Sequence, residues 1–158
     1  MAMPPALNPP PASAEVRGVV STGWLAASSS SYGGNPLAAA AGLVTIQTIL
    51  DEGLVENSAR IGLLLLEGLR EIAGRRPSIA NVRGRGLLIG FDLMAPDRKQ
   101  FMPKGGCVAF FKECLANGVI LMGYTPRVRI HPPLILAADE ARRALSVVDG
   151  ALDRIERC

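Results

Sequence analysis

The stretch Ser28-Ser29-Ser30-Ser31-Tyr32-Gly33-Gly34-Asn35-Pro36-Leu37-Ala38-Ala39-Ala40-Ala41-Gly42, continued by the apolar residues 43–50, decides how the chain is read. Asn35 is suited to cap a helix, its side-chain oxygen accepting from the orphan amides of the first turn. Pro36 at the first helical position gives up no donor that the helix would use. A helix is therefore expected over 36–51. Ahead of it, Gly33 and Gly34 let the backbone approach a ligand closely, and Ser31 sets a hydroxyl beside the positive end of the helix dipole. That geometry suits a phosphate or a carboxylate. The same residues also read as a serine linker running into an ordinary capped helix, and taken alone the linker is the simpler reading.

Working outward, the helix over 36–51 is nearly all Ala, Leu, Val and Ile, with Thr45 and Gln47 among its few polar breaks. A helix apolar on almost every side has to be buried on most sides, and a chain of 158 residues offers little to cover it. More protein around it is implied. A second helix is expected over 54–75, with Leu54, Ile61, Leu64, Leu65, Leu69 and Ile72 at helical spacing against Glu56, Arg60, Glu67, Arg70 and Glu71. Gly74-Arg75-Arg76-Pro77 ends it with a glycine, a basic last turn and a proline. In the other direction, residues 1–18 open as MAMPPALNPPPASA and are expected to be a disordered or polyproline-like leader. Trp24 is read as a packing residue.

Downstream the texture changes to strands, expected at 79–83 and 87–94 around Gly84-Arg85-Gly86. One Arg-Gly-Arg-Gly without interleaved aromatics does not make a nucleic-acid patch; it reads as a tight turn or bulge whose arginines face water or a carboxylate. A polar loop over 96–106 precedes a helix at 107–117, stopped by Asn117-Gly118. Further strands are expected at 119–122 and 127–130. The alternation Arg127-Val128-Arg129-Ile130 puts both arginines on one face. His131-Pro132-Pro133-Leu134-Ile135 should be rigid and extended, and a last helix runs over 138–157. The order predicts an α+β fold, a small mostly antiparallel sheet with helices packed on one face, preceded by a long apolar helix.

Composition narrows the function. Hydrophobic residues make up 49% and aromatics only 4%, so aliphatic side chains must do the packing. The net charge of +3 is spread along the chain, which is weak support for nucleic acid. Cys107, Cys114 and Cys158 are odd in number with no CxxC spacing, consistent with idle thiols in a reducing compartment. No apolar run approaches the roughly 20 residues needed to cross a bilayer. The expected address is cytoplasmic, without membrane or nucleic-acid partners. His131 is the only histidine, so neither a histidine metal cluster nor a Ser-His nucleophile is available.

Three segments in the same order carry a resemblance: Ser31-Tyr32-Gly33-Gly34-Asn35-Pro36-Leu37-Ala38 with the small residues after it, Val82-Arg83-Gly84-Arg85-Gly86-Leu87-Leu88-Ile89-Gly90, and Val128-Arg129-Ile130-His131-Pro132-Pro133-Leu134. They are similar to segments of the class III (omega-amino-acid type) pyridoxal phosphate aminotransferases, over the last third or so of a family member. The resemblance implies the C-terminal domain of a type I pyridoxal phosphate transferase fold. Residues 19–53 would then be the end of the large domain with its inter-domain helix, and 54–158 the small domain. It implies that Ser31, with Tyr32 and Gly33 beside it, contacts the cofactor phosphate, usually that of a partner subunit. It further implies that Arg129 clamps a substrate carboxylate, for which a guanidinium fork is matched in geometry. Arg127 is the alternative. Without the resemblance, Arg129 reads as an edge-strand arginine paired with Asp or Glu.

Pyridoxal phosphate chemistry needs a lysine held as a Schiff base in a dry pocket. Lys99, Lys104 and Lys112 all lie in polar or amphipathic settings, so no catalytic residue is assigned to this chain. The expectation is a C-terminal portion of a transaminase, inactive by itself, that forms a homodimer or associates with a cofactor-binding large domain. The alternative is a non-catalytic dimerisation or partner-binding module derived from that domain.

Overall fold

The computed structural model describes residues 33–95, 97, 99–122 and 124–157. The leader at 1–18, Trp24, Ser31 and Tyr32 lie outside the described residues. The chain divides into two compact units, Met1–Thr45 and Ile46–Cys158.

Helix α1 (Pro36–Asp51) begins as expected. Asn35 Oδ1 accepts from the amides of Leu37 at 2.9 Å and Ala38 at 3.4 Å. None of its residues is buried, and Leu37, Leu43, Val44, Ile46 and Leu50 stand exposed. The cover that its composition calls for is not supplied by the described residues.

The second unit holds the sheet and its helices. Helix α2 (Leu54–Arg75) buries Ile61, Leu65, Leu69 and Ile72, the stripe that its periodicity marked. Strands β1 (Ile79–Arg85), β2 (Leu88–Leu93) and β3 (Arg127–Ile130) form an antiparallel sheet in the order β1-β2-β3. Helices α3 (Lys104–Ala116) and α4 (Ala138–Glu156) complete the unit. Alternation gives one sheet face to the core: Ile79, Ile89, Phe91, Leu93 and Val128 are buried with α2, and the ring of Phe91 meets Phe110 of α3 edge-on at 6.2 Å between centroids. The architecture is the expected α+β arrangement.

Three local expectations fail. Residues 119–122 form no strand, so the sheet has three strands rather than four. Gly118 is left-handed, with φ +83°, and Val119 spends its amide on the carbonyl of Cys114 at 2.9 Å, closing the helix instead of starting a ladder. Leu121 is still buried, and 119–122 and Arg129–Pro132 line one cavity of about 290 Å³. The extended reading of 131–135 fails at its end, where a turn at Leu134 and Ile135 is closed by the Leu136 amide donating to Pro133 O at 3.0 Å. Asn57 of α2 pins that turn, its side-chain amide donating to the carbonyls of Leu134 and Leu136. Helix α3 also begins three residues earlier than its apolar pattern indicated, at Lys104.

Two contacts fix α2 in place. An added Cβ on Gly62 would lie 2.1 Å from the carbonyl oxygen of Gly86, so only glycine lets the helix meet the β1–β2 turn. At its other end Arg76 gathers Asp149, Asp153 and Glu156 of α4 at 2.5 to 3.0 Å, with Arg75 also on Asp149.

Gly62→Ala should lower stability in urea titration by roughly 1–3 kcal/mol, the range for overpacking. Gly74→Ala, with nothing within 4 Å of the added methyl, should be neutral or stabilising. The Arg76 cluster should respond to acid. Burial pushes the Asp149 carboxyl up, but hydrogen bonds and charge from Arg76 and Arg75 outweigh it and hold the group below its ordinary value. A carboxyl lowered in the folded state contributes stability that is complete above its unfolded value and is lost as pH falls through the folded one. Arg76→Ala should therefore cost about 2 kcal/mol at neutral pH, and the difference from the unmodified chain should shrink below about pH 4 in chemical denaturation.

Candidate functional site on the open sheet face

The sheet face opposite the core is polar because alternation leaves it Arg83, Arg85, Leu88, Gly90, Asp92, Arg127 and Arg129. Four arginines share it with one carboxylate. Asp92 is buried among them, only 6% exposed, and both of its oxygens are engaged. Oδ1 accepts from both terminal nitrogens of Arg83 at 3.1 Å, and Oδ2 from Asn81 Nδ2 at 2.8 Å. Asn81 reaches it from a left-handed backbone, φ +53°, at a register shift in β1 between Ala80 and Arg83. The expectation that the arginines of this hairpin face water or a carboxylate is met at Arg83.

Arg129 lies on β3 opposite Gly90, which in turn faces Arg83. It is exposed, and among the described residues it has no ion pair or hydrogen-bonded partner. The paired edge-strand reading therefore does not describe it; the acid nearest in register already belongs to Arg83. Arg127 is opposite Asp92 in the ladder, yet its guanidinium stacks over the ring of Phe101 at 5.2 Å from the centroid. Phe101 is carried to the sheet by a bridge between Met94 and Phe101. Arg127, Arg129, Phe101, Thr125 and Pro126 line one cavity of about 420 Å³. Sequence reading missed Phe101, whose only signal is an aromatic side chain stranded in a polar loop.

Of the residues assigned to cofactor contact, Gly33 is described, exposed in the turn ahead of α1; Ser31 and Tyr32 lie outside the described residues. Lys99, Lys104 and Lys112, which are all the lysines of the chain, are exposed. Cys107 and Cys114 are fully buried, and burial, with Glu113 adding to it, pushes the Cys114 thiol up to about 12. Neither thiol is poised as a nucleophile.

The sequence profile of the aminotransferase class-III family matches residues 8–152. The chain belongs to the class-III aminotransferase family. It is 39% identical over 120 residues to acetylornithine aminotransferase of Archaeoglobus fulgidus, covering 75% of this chain and 28% of that protein. To taurine–pyruvate aminotransferase of Rhodobacter capsulatus it is 34% identical over 134 residues, 80% of this chain and 29% of the relative. It thus spans under a third of the length of these relatives. An amine transaminase from an uncultivated Pseudomonas species, solved in its PLP-bound internal aldimine form, superposes with a TM-score of 0.74 at 30% identity, over 82% of this chain and 30% of that one. A Bacillus anthracis aminotransferase gives 0.72 at 31%, over 78% and 29%. This class-III domain keeps its helices on one sheet face and turns its arginines to the other.

A free arginine and a paired one should differ on removal. Arg129→Gln should leave the melting temperature nearly unchanged, within about 0.5 kcal/mol. Asp92→Ala, which strands Arg83 and Asn81, should cost about 1–3 kcal/mol.

Proposed function

We propose that this chain supplies the substrate-anchoring part of a pyridoxal phosphate-dependent transaminase, which moves an amino group between an amino acid or omega-amino donor and a 2-oxo acid. The observation that carries the reading is Arg129, exposed on the open face with no carboxylate of its own among the described residues, three residues ahead of Pro132-Pro133 and the turn at Leu134 and Ile135 that Asn57 pins. A guanidinium in that state presents two parallel donors to a substrate carboxylate. Family membership and the names of its relatives support the reaction class.

Pyridoxal phosphate supplies an electron sink for amino-group chemistry when bound. The residues of this chain do not fit its covalent attachment. All three lysines are exposed, and none has the dry surroundings that a Schiff-base lysine needs. The attachment lysine therefore comes from protein outside this sequence. Phosphate contact by Ser31, Tyr32 and Gly33 rests on family membership, and the amides of Leu37 and Ala38, which donate to Asn35, are not among its donors. The exposed apolar side chains of α1 support a role beside protein, as a homodimer or against a cofactor-binding large domain.

Mixed with pyridoxal phosphate and reduced with borohydride, the 158-residue chain should trap cofactor on no single lysine. Pyruvate followed by side-chain NMR should bind the chain and weaken by about 10- to 100-fold in Arg129→Gln, the loss expected for a charge-assisted pair. A specific lysine adduct, or pyruvate binding indifferent to Arg129, would refute the assignment.

A further inference from the structure

The geometry points to Arg127 as the second arm of the anchor: with Arg129 it forms a two-arginine cradle on the open sheet face that takes a doubly charged oxyanion, a phosphate or phosphonate monoester head, in preference to a single carboxylate. The inference rests on the proposed anchoring role of Arg129 and extends it to the class of group held there.

Three observations carry it. First, Arg127 and Arg129 project from the same face of one strand, about 7 Å apart along it, and line the same cavity of about 420 Å³. Second, that face has no anion left to give them. Asp92 is the cross-strand partner of Arg127, and the usual outcome would be an ion pair, but Arg83 and Asn81 hold both of its oxygens. Two guanidinium groups therefore share a cavity with no carboxylate of the described sheet face free to compensate either. Third, Arg127 is aimed. Its guanidinium stacks over Phe101, another lining residue of the cavity, and among the described residues has no hydrogen-bonded or ionic partner, while the Thr125 hydroxyl donating to the Arg127 carbonyl at 3.3 Å holds the backbone there. A single carboxylate satisfies one guanidinium fork. A tetrahedral group with two negative charges and three terminal oxygens satisfies two, and each fork keeps bidentate geometry.

The test uses the 158-residue chain and two small probes, methyl phosphate and acetate, with binding read from the arginine Nε–H signals by NMR. Methyl phosphate should bind at least about tenfold more tightly than acetate and shift the Arg127 and Arg129 signals together. Arg127→Gln should reduce that preference to near one while leaving acetate bound as before, and Arg129→Gln should weaken both probes. Phe101→Leu, which removes the stacking surface and neither charge, should lower the preference by a few-fold. Circular dichroism should show every variant folded. If Arg127→Gln keeps the preference, the cradle is wrong while the anchor stands, provided that Arg129→Gln loses acetate. If Arg129→Gln still binds acetate unchanged, the anchor fails and the cradle with it. Absence of any shift with methyl phosphate also overturns the cradle.

Discussion

Phe91 sits at the centre of β2, completely buried and edge-on to Phe110, and that contact commits one face of the sheet to the interior. A regular strand alternates, so once Ile89, Phe91 and Leu93 point inward, Leu88, Gly90 and Asp92 take the other face. The neighbouring strands inherit the same division through their register, and Val128 facing Phe91 carries Arg127 and Arg129 to the outer side. A one-residue slip of β3 would bury two guanidinium groups, so the core specifies the site as firmly as it specifies the fold.

Asp92 decides what those arginines can do. As a nearly buried carboxylate it has to be satisfied, and the left-handed Asn81 together with Arg83 satisfies it from one side. The cations of β3 are left over as a result. An uncompensated surface arginine costs the fold little because water solvates it, so the proposed anchoring role of Arg129 carries no stability penalty when no ligand is bound. Gly90 contributes by what it lacks: between Arg83 and Arg129 in the ladder there is no side chain to fill the row.

Much of this was legible in order along the chain. Helix α2 could be read to the residue because its buried stripe recurs at helical spacing and a Gly-Arg-Arg-Pro run ends it; α1 because Asn35 and Pro36 are a cap and a first turn. The arginine pair could be placed on one face from alternation alone. What failed did so for a stated reason. The apolar run at 119–122 looks the same whether it pairs in a ladder or only inserts Leu121 into the core, and the choice turned on the Val119 amide being taken by α3. Phe101 and Arg127 lie 26 positions apart, and their contact depends on a single bridge from Met94 that no local pattern announces. The saturation of Asp92 depends likewise on a bulge that brings Asn81 round, a tertiary fact with no local residue code.

Two features of the chain are incomplete in complementary ways. Helix α1 exposes Leu37, Leu43, Val44, Ile46 and Leu50, and five large aliphatic side chains in water forgo roughly 1.5–3 kcal/mol each that burial would return. The open sheet face presents two cations, Arg127 and Arg129, beyond what its one carboxylate pairs. Neither condition arises from poor folding, since among the described residues no buried side-chain nitrogen or oxygen lacks a partner. With its interior so fully satisfied, the described chain keeps its unmet requirements at the surface, in the apolar side chains of α1 and in the unpaired arginines of β3. Under the proposed function the two are met separately, since exposed aliphatic surface is suited to contact with protein and an unpaired guanidinium to a substrate oxyanion.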